Sequence, residues 1–289
     1  MTKVCFFNFY HNGDLFHSKP FVREVIKLLG KEKVLYAHNK DPRAIEDLQI
    51  QTVRLEGIDN KTKVFRPKDP DMLFLNTWIG SYFDKYTGEC TLNFNMKMWA
   101  DIYEEINTAF NKKLKLGPVE NYLPYVDYSK YDLANVRSYL DQDTKPKIMF
   151  CNGPALSGQC EYNGSMEWII NPLAQKYPNK TFITTHKIST STENVIYTGD
   201  IIKSDRCDLN EISYLSKYCS LLVGRNSGPF CYVSTGENLN DPPKTFYAFG
   251  HQESDCFTMG IPKKSNYIFE KYQDHTQLLH SIEELVNKA

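Results

Sequence analysis

The 289-residue sequence predicts an α/β protein of two domains facing each other across a cleft. Three observations carry that reading. An apolar run, Val4-Cys5-Phe6-Phe7-Asn8-Phe9-Tyr10, meets Gly13-Asp14-Leu15-Phe16-His17-Ser18-Lys19-Pro20, which sets a carboxylate at the carboxyl end of a first strand. A second junction of this kind, Leu221-Leu222-Val223-Gly224-Arg225-Asn226-Ser227-Gly228-Pro229, lies in the other half. Between them strand-like and helix-like segments alternate, the pattern of parallel sheets with helices on their faces. In open α/β sheets the carboxyl ends of the strands are where ligands bind.

Each element has its own signal. After the first strand, Phe21, Val22, Val25, Ile26, Leu28 and Leu29 recur at helical spacing up to Gly30. Val34–Ala37 reads as a strand, and Asp41-Pro42-Arg43 opens a short helix, with Asp as cap and Pro in its first turn. Two strands follow at 52–55 and 72–75. A long helix over about 95–113 carries Met96, Trp99, Ile102, Tyr103, Ile106 and Phe110 on one face. The pattern weakens between Pro118 and Pro146, which reads as a linker with a short helix near 133–140. It restarts with a strand at 147–151, a turn at Asn152-Gly153-Pro154, a helix at 165–176 and strands at 181–185 and 194–197. Asp208 and Glu211 have capping-box spacing ahead of a helix running to about Tyr218. A last amphipathic helix, 276–287, offers Leu278, Leu279, Ile282, Leu285 and Val286 for burial.

Bulk properties exclude several classes. A net charge of −1 with dispersed lysines gives no field for tracking nucleic acid. No apolar stretch approaches the ~20 residues of a membrane span. The N-terminal apolar run reads as a strand and not as a signal peptide, so a cytoplasmic protein is expected. The eight cysteines form no C-x-x-C pair, so neither a zinc site nor a disulfide framework is indicated. Cys151 and Cys160 are spaced so that they could pair, but reduced thiols suit that compartment. The sequons at Asn60, Asn163 and Asn179 carry little weight without a secretion signal. There is no G-x-G-x-x-G or Walker loop, and no D-x-D pair at a strand end to hold a divalent metal. No cofactor or metal site is therefore expected.

Asp14 is the first chemical candidate, and two roles are open to it: general base at the cleft edge, or cap of the following helix. His11 and His17 flank it. At Arg225-Asn226-Ser227-Gly228-Pro229, a glycine turn entering a helix offers N–H groups and a hydroxyl to a phosphate. Arg225 could add a bidentate contact there, or the segment is an ordinary strand-to-helix turn with a solvated arginine. Lys187, in Thr184-Thr185-His186-Lys187, could neutralise a diphosphate or simply face water. At Gly153 the backbone could approach a ligand closely.

Together these segments resemble the bacterial heptosyltransferase family and its relatives, inverting glycosyltransferases of the GT-B fold. Gly13, Asp14, His17 and Pro20 match its Gly-Asp-x-x-His-x-x-Pro turn. The run from Asp208-Leu209 through Leu221-Leu222-Val223-Gly224 is similar to its approach to the donor site. Asn226-Ser227-Gly228-Pro229 stands where the family carries Asp-Thr-Gly-Pro, and Cys231 stands where many members have His. The resemblance implies two Rossmann-like domains: 1–140 for the acceptor and 145–272 for a nucleotide-sugar, with 273–289 returning to the first. It implies Asp14 as catalytic base, with Gly13 and His17 at the acceptor. Gly153, Thr185, Lys187, Arg225, Asn226, Ser227, Gly228 and Pro229 would hold the donor. The two departures point to a hexose or deoxyhexose donor in place of heptose, transferred to a glycan acceptor without a metal. A nucleotide-sugar epimerase of similar build, and a non-catalytic glycan- or nucleotide-binding protein, are the alternatives.

Overall fold

The computed structural model describes residues 3–66, 71–86, 91–156, 160, 162–253 and 260–289. The chain divides into two compact units, Met1–Tyr125 and Val126–Ala289.

In the first unit, β1 (Lys3–Phe7), β2 (Val34–Ala37), β3 (Gln51–Val53), β4 (Val64–Phe65) and β5 (Met72–Asn76) form a sheet of order β3-β2-β1-β5-β4. All pairings are parallel except β4 with β5. The side chains alternate as a two-faced sheet demands. Cys5, Phe7, Leu35, Ala37 and Phe74 form one apolar cluster with Phe9, Val53 and Ile58. On the other face Phe6 meets Phe21 of α1 (Asn12–Leu29) edge-on at 5.8 Å, and Phe21 stacks on Trp99 of α3 (Thr91–Phe110) at 5.6 Å. Between them comes a single turn, α2 (Phe83–Tyr86).

Several boundaries differ from the sequence reading. α1 begins at Asn12, so Gly13, Asp14 and His17 lie on the helix and not in a preceding turn, and Pro20 is inside it. The core face of α3 is Phe94, Met98, Trp99, Ile102, Tyr103 and Ile106, while Met96 and Phe110 are only half-buried. Asp41 does accept a hydrogen bond from the Arg43 N–H, 2.9 Å, at the head of a 3₁₀ segment, Pro42–Leu48. That segment carries Asp47 under α1, where its buried carboxylate meets Lys19 Nζ at 2.8 Å and the Arg23 guanidinium. Arg23 also donates to the Tyr125 carbonyl at 3.0 Å and lies over the Tyr125 ring, fixing the last residue of the unit.

In the second unit, β6 (Lys147–Cys151), β7 (Thr181–Thr184), β8 (Val195–Tyr197), β9 (Leu221–Gly224), β10 (Thr245–Gly250) and β11 (Asn266–Lys271) form a parallel sheet of order β11-β10-β9-β6-β7-β8. Ile148, Phe150, Phe182, Leu221, Val223, Tyr247 and Phe249 point to one face. There they meet Ile169, Ile170 and Leu173 of α5 (Glu167–Lys176) and Leu278, Ile282 and Val286 of α10 (His275–Lys288). The remaining helices are α4 (Ala134–Gln142), α6 (Thr198–Ile202), α7 (Leu209–Ser216), α8 (Gly228–Val233) and α9 (Gly236–Leu239).

Part of the stretch read as a linker, between Pro118 and Pro146, packs into the second unit: Tyr128 Oη bonds Ser213 Oγ at 3.0 Å and Asn135 donates to the Ile202 carbonyl at 3.0 Å. The apolar stripe of the last helix, Leu278, Ile282 and Val286, fills the core of the second unit. Within that stripe Leu279 and Leu285 are only partly buried. Asp208 occupies the N-cap of α7, but its side chain makes no capping bond and its backbone is not extended, so the capping box does not form. No helix among the described residues is long and apolar enough to cross a membrane.

Candidate functional site

Each sheet has one place where the chain changes the direction in which it adds strands: between β1 and β5 in the first, between β6 and β9 in the second. Crevices outside the carboxyl ends of the strands at such points are the usual ligand sites of open α/β sheets. The sequence-predicted residues gather at these two places.

In the second unit Cys151 at the end of β6 is paired with Gly224 at the end of β9. A side chain at Gly224 would lie 2.6 Å from the Phe230 ring and 2.9 Å from Cys151 Cβ, so glycine is what lets the two strand ends and α8 close up. Beyond these ends come Asn152-Gly153 on one strand and Arg225-Asn226-Ser227 on the other. Arg225 is almost wholly buried, 1 % exposed, and its role differs from the one expected. Its Nε donates to the Gly153 carbonyl at 2.9 Å, one terminal nitrogen to Tyr162 at 2.6 Å, and the other to Asn152 at 2.9 Å and Gly164 at 3.0 Å. The five-donor guanidinium fork suits this geometry. Arg225 is therefore a staple joining Asn152 and Gly153 to Tyr162 and Gly164, engaged with backbone instead of being presented to an anion. Burial pushes its pKa down.

Two asparagines complete the scaffold. Asn163 accepts from the Ala155 N–H at 2.7 Å and donates to the Ala155 carbonyl at 3.0 Å, which uses up the amide of that sequon. Asn152 accepts from the His186 N–H at 2.8 Å and donates to the His186 carbonyl at 2.9 Å, tying the loop after β6 to the loop after β7. Thr185 is half-buried beside this tie, its hydroxyl 3.5 Å from Asn152 Oδ1, while Lys187 is exposed just beyond it. A side chain at Gly153 would meet nothing within 4 Å, so that backbone borders open space.

Ser227 is the N-cap of α8, with Gly228 and Pro229 as its first two residues, and the buried Ser227 Oγ has no hydrogen-bond partner among the described residues. The two departures from the heptosyltransferase pattern touch each other: Cys231 Sγ donates to Asn226 Oδ1 at 3.4 Å, both side chains being buried. A neutral amide suits that thiol, since a buried carboxylate would need a charged partner.

In the first unit Asp14 sits at the third position of α1, 8 % exposed, with Oδ2 accepting from the His11 N–H at 3.3 Å. Both readings of this residue thus meet in one place, because a carboxylate holding the helix entry also stands at the carboxyl edge of β1. Burial raises its pKa to about 7; the His11 N–H, its own N–H and Lys40 pull the other way without cancelling the effect. His17, one turn on, is buried and pushed down to about 3 by desolvation, and burial with Lys40 also lowers His11. Neither imidazole is then a cation at neutral pH, so the positive charge acting on Asp14 is that of Lys40 and not of a histidine. Gly13 and His17 are buried within the helix, which gives them a supporting place under Asp14. Among the described residues no group of three His, Cys, Asp or Glu side chains is placed to hold a metal ion.

Sequence reasoning missed Asn152 and Asn163 as architectural residues. The only signal was their company with glycine in Asn152-Gly153 and Asn163-Gly164, which marks turns and not partners.

No family model matches the chain, and no curated protein matches it in sequence. Solved structures do. The glycosyl transferase family 9 protein of Veillonella parvula is similar over 100% of this chain and 95% of its own, with 13% identity and a TM-score of 0.56. Escherichia coli heptosyltransferase WaaC, solved with ADP-2-deoxy-2-fluoro heptose, is similar over 99% of both chains, with 6% identity and a TM-score of 0.52. Escherichia coli ADP-heptose lps heptosyltransferase II matches over 99% of both chains at 10% identity and a TM-score of 0.50. The two parallel-sheet units have the fold of GT-B glycosyltransferases.

Proposed function

We propose that the chain is an inverting, metal-independent glycosyltransferase that moves a sugar from a nucleotide-sugar to a hydroxyl of a glycan acceptor. The observation that carries this reading is Asp14, a buried carboxyl with a pKa of about 7 at the carboxyl edge of the strand where the first sheet changes direction. A general base works best when its pKa lies near the operating pH. Asp14 takes the proton of the acceptor hydroxyl as that oxygen attacks the anomeric carbon. The bond from that carbon to the diphosphate oxygen breaks on the opposite side, and the nucleoside diphosphate leaves.

The donor belongs to the second unit. The Ser227 hydroxyl, left without a partner among the described residues, and the N–H of Gly228 face the diphosphate in this reading, with Lys187 supplying positive charge. Thr185, Asn226 and Pro229 shape the same edge, and Gly153 leaves room beside it. Arg225 acts one layer below, by joining Asn152 and Gly153 to Tyr162 and Gly164. The ADP-sugar that WaaC was solved with favours a nucleoside diphosphate sugar here. The Asn226–Cys231 pair favours a hexose or deoxyhexose over heptose.

The test is release of nucleoside diphosphate from a panel of nucleotide-sugars, with acceptor glycans and with EDTA present. Asp14→Asn should lower turnover by about 10²–10⁴-fold while keeping the melting-temperature rise given by the donor. Near-normal turnover in Asp14→Asn would remove the base assignment. Turnover abolished by EDTA and restored by a divalent metal would remove the metal-independent one.

A further inference from the structure

We infer that Tyr10 and Trp78 form an aromatic platform that binds a pyranose ring of the acceptor next to Asp14; this rests on the transferase reading and names the acceptor subsite within it. β1 and β5 are neighbours, with Phe7 opposite Asn76, and the loops that leave them run side by side, Thr77 N–H donating to the Phe7 carbonyl at 3.0 Å. Each loop places one large ring by the same device. Asn8 Oδ1 accepts from the Tyr10 N–H at 3.0 Å, and Asn76 Oδ1 accepts from the Trp78 N–H at 2.8 Å. Both asparagines are fully buried. Asn76 is further anchored on the carbonyls of Asn60 at 2.6 Å and Thr62 at 2.9 Å.

The two rings stack with centroids 4.5 Å apart and planes 30° from parallel. A side chain at Gly80 would fall 2.2 Å from the Trp78 indole, so glycine there lets the backbone back the ring. Tyr10 lies 4.2 Å from the His11 ring, and the His11 N–H holds Asp14. Tyr10 and Trp78 belong to neither face of the core, and both remain partly exposed. At the foot of the platform, Asn8 Nδ2 is buried with no hydrogen-bond partner, a donor whose desolvation is uncompensated within the described residues.

A pair of rings oriented by buried side chains, at the edge of a sheet and joined through His11 to Asp14, is suited to a ligand. The electron-rich faces of indole and phenol attract groups carrying positive charge density. The axial C–H face of a pyranose is such a group, and its hydroxyls then project sideways within reach of a base. Stacking is tolerant of ring identity, so the platform selects a sugar ring as a class.

The experiment is ligand-detected saturation-transfer NMR on the full chain with methyl glucoside, galactoside, mannoside and N-acetylglucosaminide. The variants are Trp78→Ala, Tyr10→Ala and Gly80→Ala, with Trp78→Phe as the conservative control. At least one glycoside should bind the wild type, about tenfold or more weaker in both ring-to-alanine variants, and be restored by Trp78→Phe. Gly80→Ala, which displaces the ring without removing it, should weaken the same glycoside. No glycoside bound at millimolar concentration, or binding unchanged in Trp78→Ala and Tyr10→Ala, overturns the proposal. Nucleoside diphosphate release from the nucleotide-sugar panel with acceptor glycans present is read separately in each variant. Its absence everywhere condemns the transferase reading, while glycoside binding through Trp78 would still stand.

Discussion

At the residue scale Asp14 joins two properties that ordinarily oppose each other. Below its usual value near 3.8 the carboxyl is protonated whether the chain is folded or not. Between that value and about 7 the unfolded chain has lost the proton and the folded chain keeps it. Folding stability therefore falls as pH rises through this window, by at most roughly 1.4 kcal/mol per pH unit, and the loss is complete above it. Asp14→Asn carries no such charge. Relative to wild type, the variant should gain stability between about pH 4.5 and about pH 8, read as a rise in the denaturant midpoint difference. A constant difference across that range would mean that Asp14 is not desolvated. A substitution that abolishes turnover while stabilising the chain is the signature of a residue held for chemistry.

At the element scale the loops are fixed by side chains that bond backbone, and Arg225 is the central one. Its replacement by lysine keeps the charge but offers a single nitrogen to carbonyls spread from Asn152 to Gly164. Arg225→Lys should cost about 2–4 kcal/mol and weaken the donor-induced melting shift, with amide exchange at Gly153, Tyr162 and Gly164 accelerated more than in β6. An unchanged exchange pattern would deny Arg225 its staple role. The same contrast explains what the sequence made legible. Strands β1, β2, β5, β6, β7 and β9 and the helices α3, α5 and α10 were readable, because burial writes a period into the residues. β10 was missed although Thr245–Gly250 is as apolar and as deeply buried as β6 and β9. The positions of Asp14 and Ser227 at strand edges were readable too. The destination of the Arg225 guanidinium was not, because its four acceptors are backbone carbonyls, which no residue letter records.

At the scale of the whole molecule each unit owns its core and its ligand edge. The boundary lies where Arg23 clamps Tyr125, and the chain beyond it belongs to the second unit through Tyr128–Ser213 and Asn135–Ile202. A fragment of residues 126–289 should therefore unfold cooperatively and show a melting-temperature rise with the nucleoside diphosphate that stabilises the full chain. A fragment starting at 145 loses buried Val126, Leu133 and Val136 and should melt lower. Equal melting of the two fragments would place the boundary where sequence alone had put it.

The contact between Asn226 and Cys231 bears on how this chain compares with the heptosyltransferase pattern it resembles. Side chains that touch do not vary independently. Where the heptosyltransferase pattern sets an acid and an imidazole, this chain sets an amide and a thiol, and the two mismatches describe a single buried contact. A comparison made letter by letter counts a double departure, where the structure holds one contact.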